Sequence, residues 1–261
     1  MRSLLFLLLV AGAHPAAGQR LDYRPVSDDA LAGAPRLAYR AVEGDSAPAG
    51  LKLQWVLLDR FEHSAQRGRD GYAWDVSALL GGDRDRLWFG SSGEGEAWAG
   101  PDYVELNLLY SRHVGGHWDL NAGLRYDAQA GPDRGYAALG AQYDDGNGLW
   151  LGGWAYLSHK GEASARLAGY YDYAVAGGPV VLQPSAELDY YGKDVPELGL
   201  GRGFGYAEAG LRLRYDFHEG KIAPYAGLSW SRDLGRTARL TRADGDDPET
   251  KSLVMGLRSA F

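Results

Sequence analysis

The residues most able to do chemistry in this sequence are charged side chains that recur at every second position. In the stretch 208–216, Glu208, Arg212, Arg214 and Asp216 share one face of an extended chain, and apolar residues occupy the other face. A row of carboxylates could draw cations through a channel in which arginines set the narrowest point. The same side chains could instead pair with one another and fill an interior, so two interpretations stay open. The candidate lumen or pore residues are Glu105, Asp119, Arg125, Asp127, Arg166, Asp172, Glu187, Asp189, Glu208, Arg212, Arg214 and Asp216.

Histidines beyond the first 18 residues form a second set of candidates, as ligands for a metal ion. His113 and His117 flank a Gly-Gly turn, and His218 lies in another short turn; both turns are predicted to face the periplasm. His63 and His159 are predicted to lie on the extracellular side, where they could form an entry site for a metal ion. The alternative for all five is an ordinary solvated histidine in a turn or at the end of a strand.

Catalysis and nucleic-acid binding are both disfavoured. A hydrolase needs a nucleophile and a base within hydrogen-bond reach, and Ser111 and His113, the nearest pair, sit on a tight turn. We therefore expect no enzymatic activity. The net charge of -7 argues against nucleic acid as a partner, because phosphate binding requires a basic surface.

The elements that must position these residues are strands. Alternation of polar and apolar residues recurs in about twelve stretches of roughly 9–11 residues, a length suited to crossing a bilayer as tilted strands. Short turns alternate with connections that are usually longer. This pattern predicts an all-β fold, a closed antiparallel transmembrane β-barrel with short periplasmic turns and longer extracellular loops. The apolar faces are then expected to contact outer-membrane lipid, because closed strands pair every backbone group.

Two stretches of this pattern are informative in detail. In the first strand, Trp55 and Leu57 oppose Arg60 and Glu62, so the alternation predicts that both apolar residues face lipid. The stretch 149–158 is apolar on both faces, and its register does not follow from the pattern.

The chain divides into three parts. Residues 1–18 have one charge, a short apolar run and an Ala16-x-Gly18 site, which are typical of a cleaved secretory signal peptide. Residues 19–50 are rich in Ala, Pro, Asp and Gly and are interpreted as a flexible periplasmic segment. Residues 51–261 are the predicted barrel. The sequence has no cysteine, which excludes disulfides and thiolate metal sites.

Several motifs give the sequence a family resemblance, which covers roughly 51–261. The motifs are Asp59-Arg-Phe-Glu62, Arg86-Leu-Trp-Phe89, Leu108-Leu-Tyr-Ser-Arg112, Trp118-Asp-Leu-Asn-Ala-Gly-Leu-Arg-Tyr-Asp127, Leu188-Asp-Tyr-Tyr-Gly-Lys-Asp194, Leu211-Arg-Leu-Arg-Tyr215 and Ala223-Pro-Tyr225. With these motifs in this order, the sequence resembles the copper resistance protein B family.

The resemblance implies an outer-membrane barrel in a Gram-negative copper-handling system, with copper as a bound or transported ion. It also implies periplasmic copper-binding proteins and a multicopper oxidase as partners. Many members carry a Met- and His-rich segment before the barrel, but residues 19–50 contain neither residue. Thioether and imidazole are ligands that copper prefers. A small porin-like channel without copper specificity is therefore the alternative.

Overall fold

The computed structural model describes residues 53–129, 131–217 and 220–261. The predicted signal peptide and periplasmic segment lie outside these residues, as does His218. Within the described ranges, no helix is both long and apolar enough to cross a membrane.

In the part of the chain that the structure describes, twelve long strands and one two-residue strand form a single antiparallel sheet. A short helix, α1 (Thr237–Ala243), lies between the last two strands, and single 3-10 turns occur at Val175–Gly177 and Pro196–Leu198. The strands are β1 (Leu53–Gln66), β2 (Gly71–Gly81), β3 (Asp85–Glu96), β4 (Tyr103–Gly115), β5 (Trp118–Gln129), β6 (Arg134–Asp144), β7 (Leu149–Ser158), β8 (Ala163–Tyr171), β9 (Tyr173–Ala174), β10 (Val180–Tyr191), β11 (Gly203–Tyr215), β12 (Ile222–Asp233) and β13 (Glu249–Ala260).

The sheet closes on itself through β1 and β13, and β10 pairs with β11 on the far side. At the seam, the Val56 N–H donates to the Phe261 carbonyl at 3.0 Å, and the Phe261 N–H donates to the Val56 carbonyl at 2.9 Å. A closed sheet leaves no row of unpaired backbone groups, which is the condition for crossing a bilayer with strands. The predicted barrel is confirmed.

The outer surface is apolar between two belts of aromatic residues. Leu124 and Leu167, on β5 and β8, are 63% and 61% exposed. The rings of Trp118 and Tyr143 lie 5.1 Å apart near one end of the wall, and Trp74 stacks with Tyr72 near the other. Amphipathic rings favour membrane–water interfaces, so this distribution indicates a lipid-facing surface.

The two ends of the barrel differ in their connections. The end that carries residues 53 and 261 has the tight turns at 82–84, 116–117, 145–148 and 175–179. The two long connections, 192–202 and 234–248, are both at the other end, as predicted for the extracellular side.

The prediction that Trp55 and Leu57 face lipid is wrong, whereas Arg60 and Glu62 point inward as expected. Leu57 has no exposed surface and Trp55 is buried with it inside the barrel, although Arg60 and Glu62 also point inward. The register of β1 shifts between Leu58 and Arg60, so the alternation changes phase at this point. In β7, Trp150 and Trp154 face inward, which assigns the register that the sequence left open.

Candidate functional site

A row of paired charges crosses the lumen. The Arg125 Nε donates to Asp127 Oδ1 at 2.7 Å, and its Nη2 lies 2.8 Å from Glu105 Oε2. Glu105 is also 3.6 Å from Arg166, whose Nε donates to Asp189 Oδ1 at 2.9 Å. Glu105 is on β4 and Arg166 on β8, which are not neighbours in the sheet, so their contact spans the interior.

A second charged group involves β11. Arg214 lies between Asp172, at 2.9 Å, and Asp216, at 2.6 Å. The Arg212 Nε donates to Glu62 Oε2 at 3.1 Å, and β1 and β11 are separated by two strands. This pair therefore also joins separated parts of the wall.

None of the twelve lumen candidates is exposed, and eight of them are buried. Glu187 lies 3.5 Å from Arg166, Glu208 accepts a hydrogen bond from Tyr206 at 2.8 Å, and Asp119 pairs with Arg86. At these distances, guanidinium and carboxylate groups form charge-assisted hydrogen bonds and neutralise each other's charge. The geometry thus favours a paired interior over a row of solvated charges.

Sequence reasoning missed part of this interior. Arg60, Arg212, Arg214 and Arg258 line one cavity of about 10 Å³, and the Arg258 Nε donates to Asp59 Oδ1 at 2.8 Å. The alternation of residues 253–261 was sufficient to predict that Arg258 points into the barrel. No such signal existed for Asp59, because consecutive residues share a face only at an irregularity of the strand.

An apolar layer fills the lumen toward its periplasmic end. Trp150 and Trp154 of β7 stack at 5.9 Å, and Trp150 also stacks on Tyr170 at 5.7 Å. Trp88 and Leu109 belong to the same buried cluster. Interior aromatic packing of this kind excludes water from the section of the barrel that it occupies.

A small cavity remains between the charged row and the extracellular mouth. It has a volume of about 30 Å³ and is lined by Arg125, Tyr136, Tyr156, Ser164 and other side chains. The Arg125 Cζ lies 5.2 Å and 4.7 Å from the ring centroids of Tyr136 and Tyr156, which is cation–π geometry. A cavity of this size holds about one or two water molecules.

The candidate histidines are divided between the two ends. His113 on β4 has its Nδ1 at 3.0 Å from Asp119 Oδ1, and the ring of His117 lies against Tyr143 at 5.6 Å; both are at the periplasmic end. At the extracellular end, His63 Nε2 lies 3.4 Å from Asp70, and the His159 Nδ1 accepts from the Gly135 N–H. Over the described ranges, no three His, Cys, Asp or Glu side chains are arranged to hold a metal ion.

Glu162, a carboxylate outside the membrane-spanning strands, has a shifted pKa. Burial alone raises the pKa of Glu162, but hydrogen bonds from Arg134 and Ser158 outweigh it, and the pKa lies below its ordinary value. The Arg134 Nε donates to Glu162 Oε2 at 2.9 Å, and the Ser158 hydroxyl donates to the same oxygen at 2.6 Å. Glu162 is therefore held ionised at the extracellular rim.

Comparisons with known proteins agree with this architecture. The sequence model described as "Copper resistance protein B precursor (CopB)" matches residues 52–261. A copper resistance protein B homolog from Pseudomonas syringae pv. tomato is 33% identical over 96% of this chain and 83% of its own length. Copper resistance protein B from Escherichia coli is 36% identical over 79% of this chain and 69% of its own length.

Among solved structures, the NanC porin is similar in fold, with a TM-score of 0.50 and 14% identity over 76% of this chain and 97% of its own. That likeness supports an outer-membrane barrel fold. The extent and identity of the sequence matches establish the family. The chain belongs to the copper resistance protein B family of outer-membrane β-barrels.

Proposed function

We propose that this protein contributes to copper resistance by binding copper ions at the rims of a closed outer-membrane barrel, without catalysing a reaction. The observation that carries the proposal is the paired and stacked interior, in which Arg125 bridges Glu105 and Asp127, and Trp150 stacks on Trp154. An interior packed in this way favours binding at the surface over free passage of ions.

The periplasmic rim offers the better geometry for binding. A metal-ligating histidine commonly donates its other ring N–H to a carboxylate, which fixes the ring and raises its basicity. The contact between His113 Nδ1 and Asp119 matches that arrangement, and Asp119 is itself held by Arg86. Imidazole suits copper as a ligand. His117 follows in the connecting turn and supplies a second imidazole at the same rim.

This rim faces the periplasm, so copper bound there is accessible to periplasmic copper-binding proteins and to a multicopper oxidase. We propose these as partners because the chain belongs to a copper resistance family. The outer pair, His63 and His159, is a second candidate binding region. The two rings have different polar partners: His63 contacts Asp70, and His159 contacts the backbone of Gly135.

A porin-like channel without copper specificity is the second candidate function. It is favoured by the composition of residues 19–50, which have no Met or His to store copper. The two functions predict different phenotypes. Loss of a general channel alters uptake of small solutes regardless of copper, whereas loss of a copper-binding protein alters growth in copper-supplemented medium only.

The test is complementation of a deletion strain, scored by copper tolerance and cell copper content. We expect the parent chain to restore tolerance and the His113→Ala/His117→Ala double variant to fail, although it reaches the outer membrane in equal amount. His63→Ala/His159→Ala is the matched control, with two histidines removed from the other rim. Unchanged copper tolerance on deletion of the gene would contradict the proposal. Full rescue by the His113→Ala/His117→Ala variant would show that copper does not bind at the periplasmic rim through these histidines.

A further inference from the structure

The connection at 192–202 folds back on itself above the extracellular mouth. Its Val195 and Leu200 exchange backbone hydrogen bonds of 2.8 Å and 3.1 Å, and the Arg202 N–H donates to Asp194 Oδ1 at 2.7 Å. The 3-10 turn Pro196–Leu198 forms the tip between them. The segment is therefore a compact, internally bonded flap.

The tip of this flap reaches a different part of the rim. Glu197 Oε1 lies 2.8 Å from the Nη2 of Arg134, at the start of β6, although the flap leaves the sheet from β10. A Cβ at Gly131 would lie 3.3 Å from Leu198, whose side chain is buried. Since β7 and β8 separate these two attachment points, the flap extends over the part of the mouth above these strands.

The base of the flap is fastened to the other long connection. Arg236 lies 2.7 Å from Asp194, and the Gly201 N–H donates to the buried Thr237 hydroxyl at 3.0 Å. A Cβ at Gly201 would lie 2.4 Å from the Arg236 Cβ, so glycine is required for this close approach. The base is held by an ion pair and by a buried hydrogen bond, whereas the tip is held by an ion pair and one leucine.

The small cavity of about 30 Å³ lies directly beneath the flap. Val195, Leu198 and Leu200 line it together with Ser164 and Arg166 of the barrel wall. Three apolar residues of the flap therefore lie over a cavity whose walls include charged side chains. Opening the tip would widen the access of extracellular water to this cavity and to the charged row that it adjoins.

We propose that residues 192–202 are a lid that opens at its tip and controls the access of small polar solutes to the upper lumen. The Arg134–Glu197 pair is the latch, and the Asp194–Arg236 and Gly201–Thr237 contacts are the fixed base. Glu197 is 52% exposed in the latch, and ion pairs with an exposed partner contribute little to stability. The base has the buried Gly201–Thr237 hydrogen bond in addition to its own ion pair, so the tip opens at a lower cost than the base. This inference does not depend on copper binding.

The absence of cysteine makes the lid directly testable. Ser164→Cys places a single thiol beneath the lid in the full chain, purified in detergent and treated with a small sulfonated thiol reagent. We expect slow labelling with the latch intact, and roughly tenfold or faster labelling after Glu197→Gln or Leu198→Ala, since each substitution lowers the free energy of local opening.

Two controls separate lid opening from general loosening. Glu96→Gln removes an ion pair at another extracellular turn, with Arg69, and should leave the labelling rate unchanged. A thiol at Asn121, buried in the periplasmic half, should stay unlabelled in every variant if the barrel is intact. Equal labelling of Ser164→Cys with and without the latch, or rapid labelling in the chain with an intact latch, would overturn the lid.

Discussion

Asp59 and Arg60 are consecutive residues of β1, and both line the same small cavity inside the barrel. Side chains of a regular strand alternate between faces, so this arrangement requires the register shift found between Leu58 and Arg60. The shift places Asp59 against Arg258 of β13 while leaving Glu62 in reach of Arg212. The irregularity thus ties the closing seam of the barrel to its charged interior.

The buried charge row predicts a large effect of removing one guanidinium. Arg125→Met would leave Glu105 and Asp127 without their closest cation, and we expect the free energy of unfolding to fall by about 3–5 kcal/mol. Arg69→Met is the control, because the Arg69–Glu96 pair is exposed and screened by solvent, so its loss should lower the free energy of unfolding much less. Denaturant unfolding of the purified barrel in lipid gives both values. A similar decrease in the free energy of unfolding for the two variants would contradict a buried network around Arg125.

The indole layer makes a prediction about two adjacent glycines. A Cβ at Gly152 would lie 2.1 Å from the Trp154 ring, whereas a Cβ at Gly153 would meet only Leu167, at 3.1 Å. We expect Gly152→Ala to destabilise the barrel by about 1–3 kcal/mol through overpacking. Gly153→Ala should have a much smaller effect, because the Leu167 side chain faces outward and moves easily. Equal stability of the two variants would show that the lumen around Trp154 is loosely packed.

The pH dependence of stability should include a contribution from Glu162. Its pKa is lower in the folded protein than in the unfolded chain, so the stabilisation is complete above the unfolded-chain pKa and is lost as the pH falls through the folded-state pKa. As the pH is lowered, we expect the free energy of unfolding to decrease less steeply for Glu162→Gln than for the parent chain. Parallel curves for the two proteins would contradict the ion pair with Arg134.

Much of the fold follows from the sequence because a lipid-facing wall imposes period 2. Residues such as Leu124 and Leu167 must be apolar to face hydrocarbon, while Arg125 and Arg166 beside them must point away from it. That constraint acts on each strand separately, so it is visible in a single sequence. The strand count and the inward-pointing charges were predictable for this reason.

The interior is less predictable because inward positions tolerate both polar and apolar residues. Trp150 and Trp154 are compatible with either face of β7 by hydrophobicity alone, and their burial depends on the glycines that make room for them. Pairs such as Glu62 with Arg212 join residues that are 150 positions apart. Which residues pair across the interior depends on how the barrel closes, and local sequence patterns contain no information about that.

Conductance tests the central claim most directly, namely that the charged wall is a packed interior and copper is handled at the rims. Purified parent protein is reconstituted into a planar lipid bilayer, and current is recorded in buffered salt with and without copper(II). The account predicts no steady open-channel current in either condition, because paired charges and stacked indoles fill the lumen. A stable conductance in every insertion event, carried by copper ions among others, would contradict it.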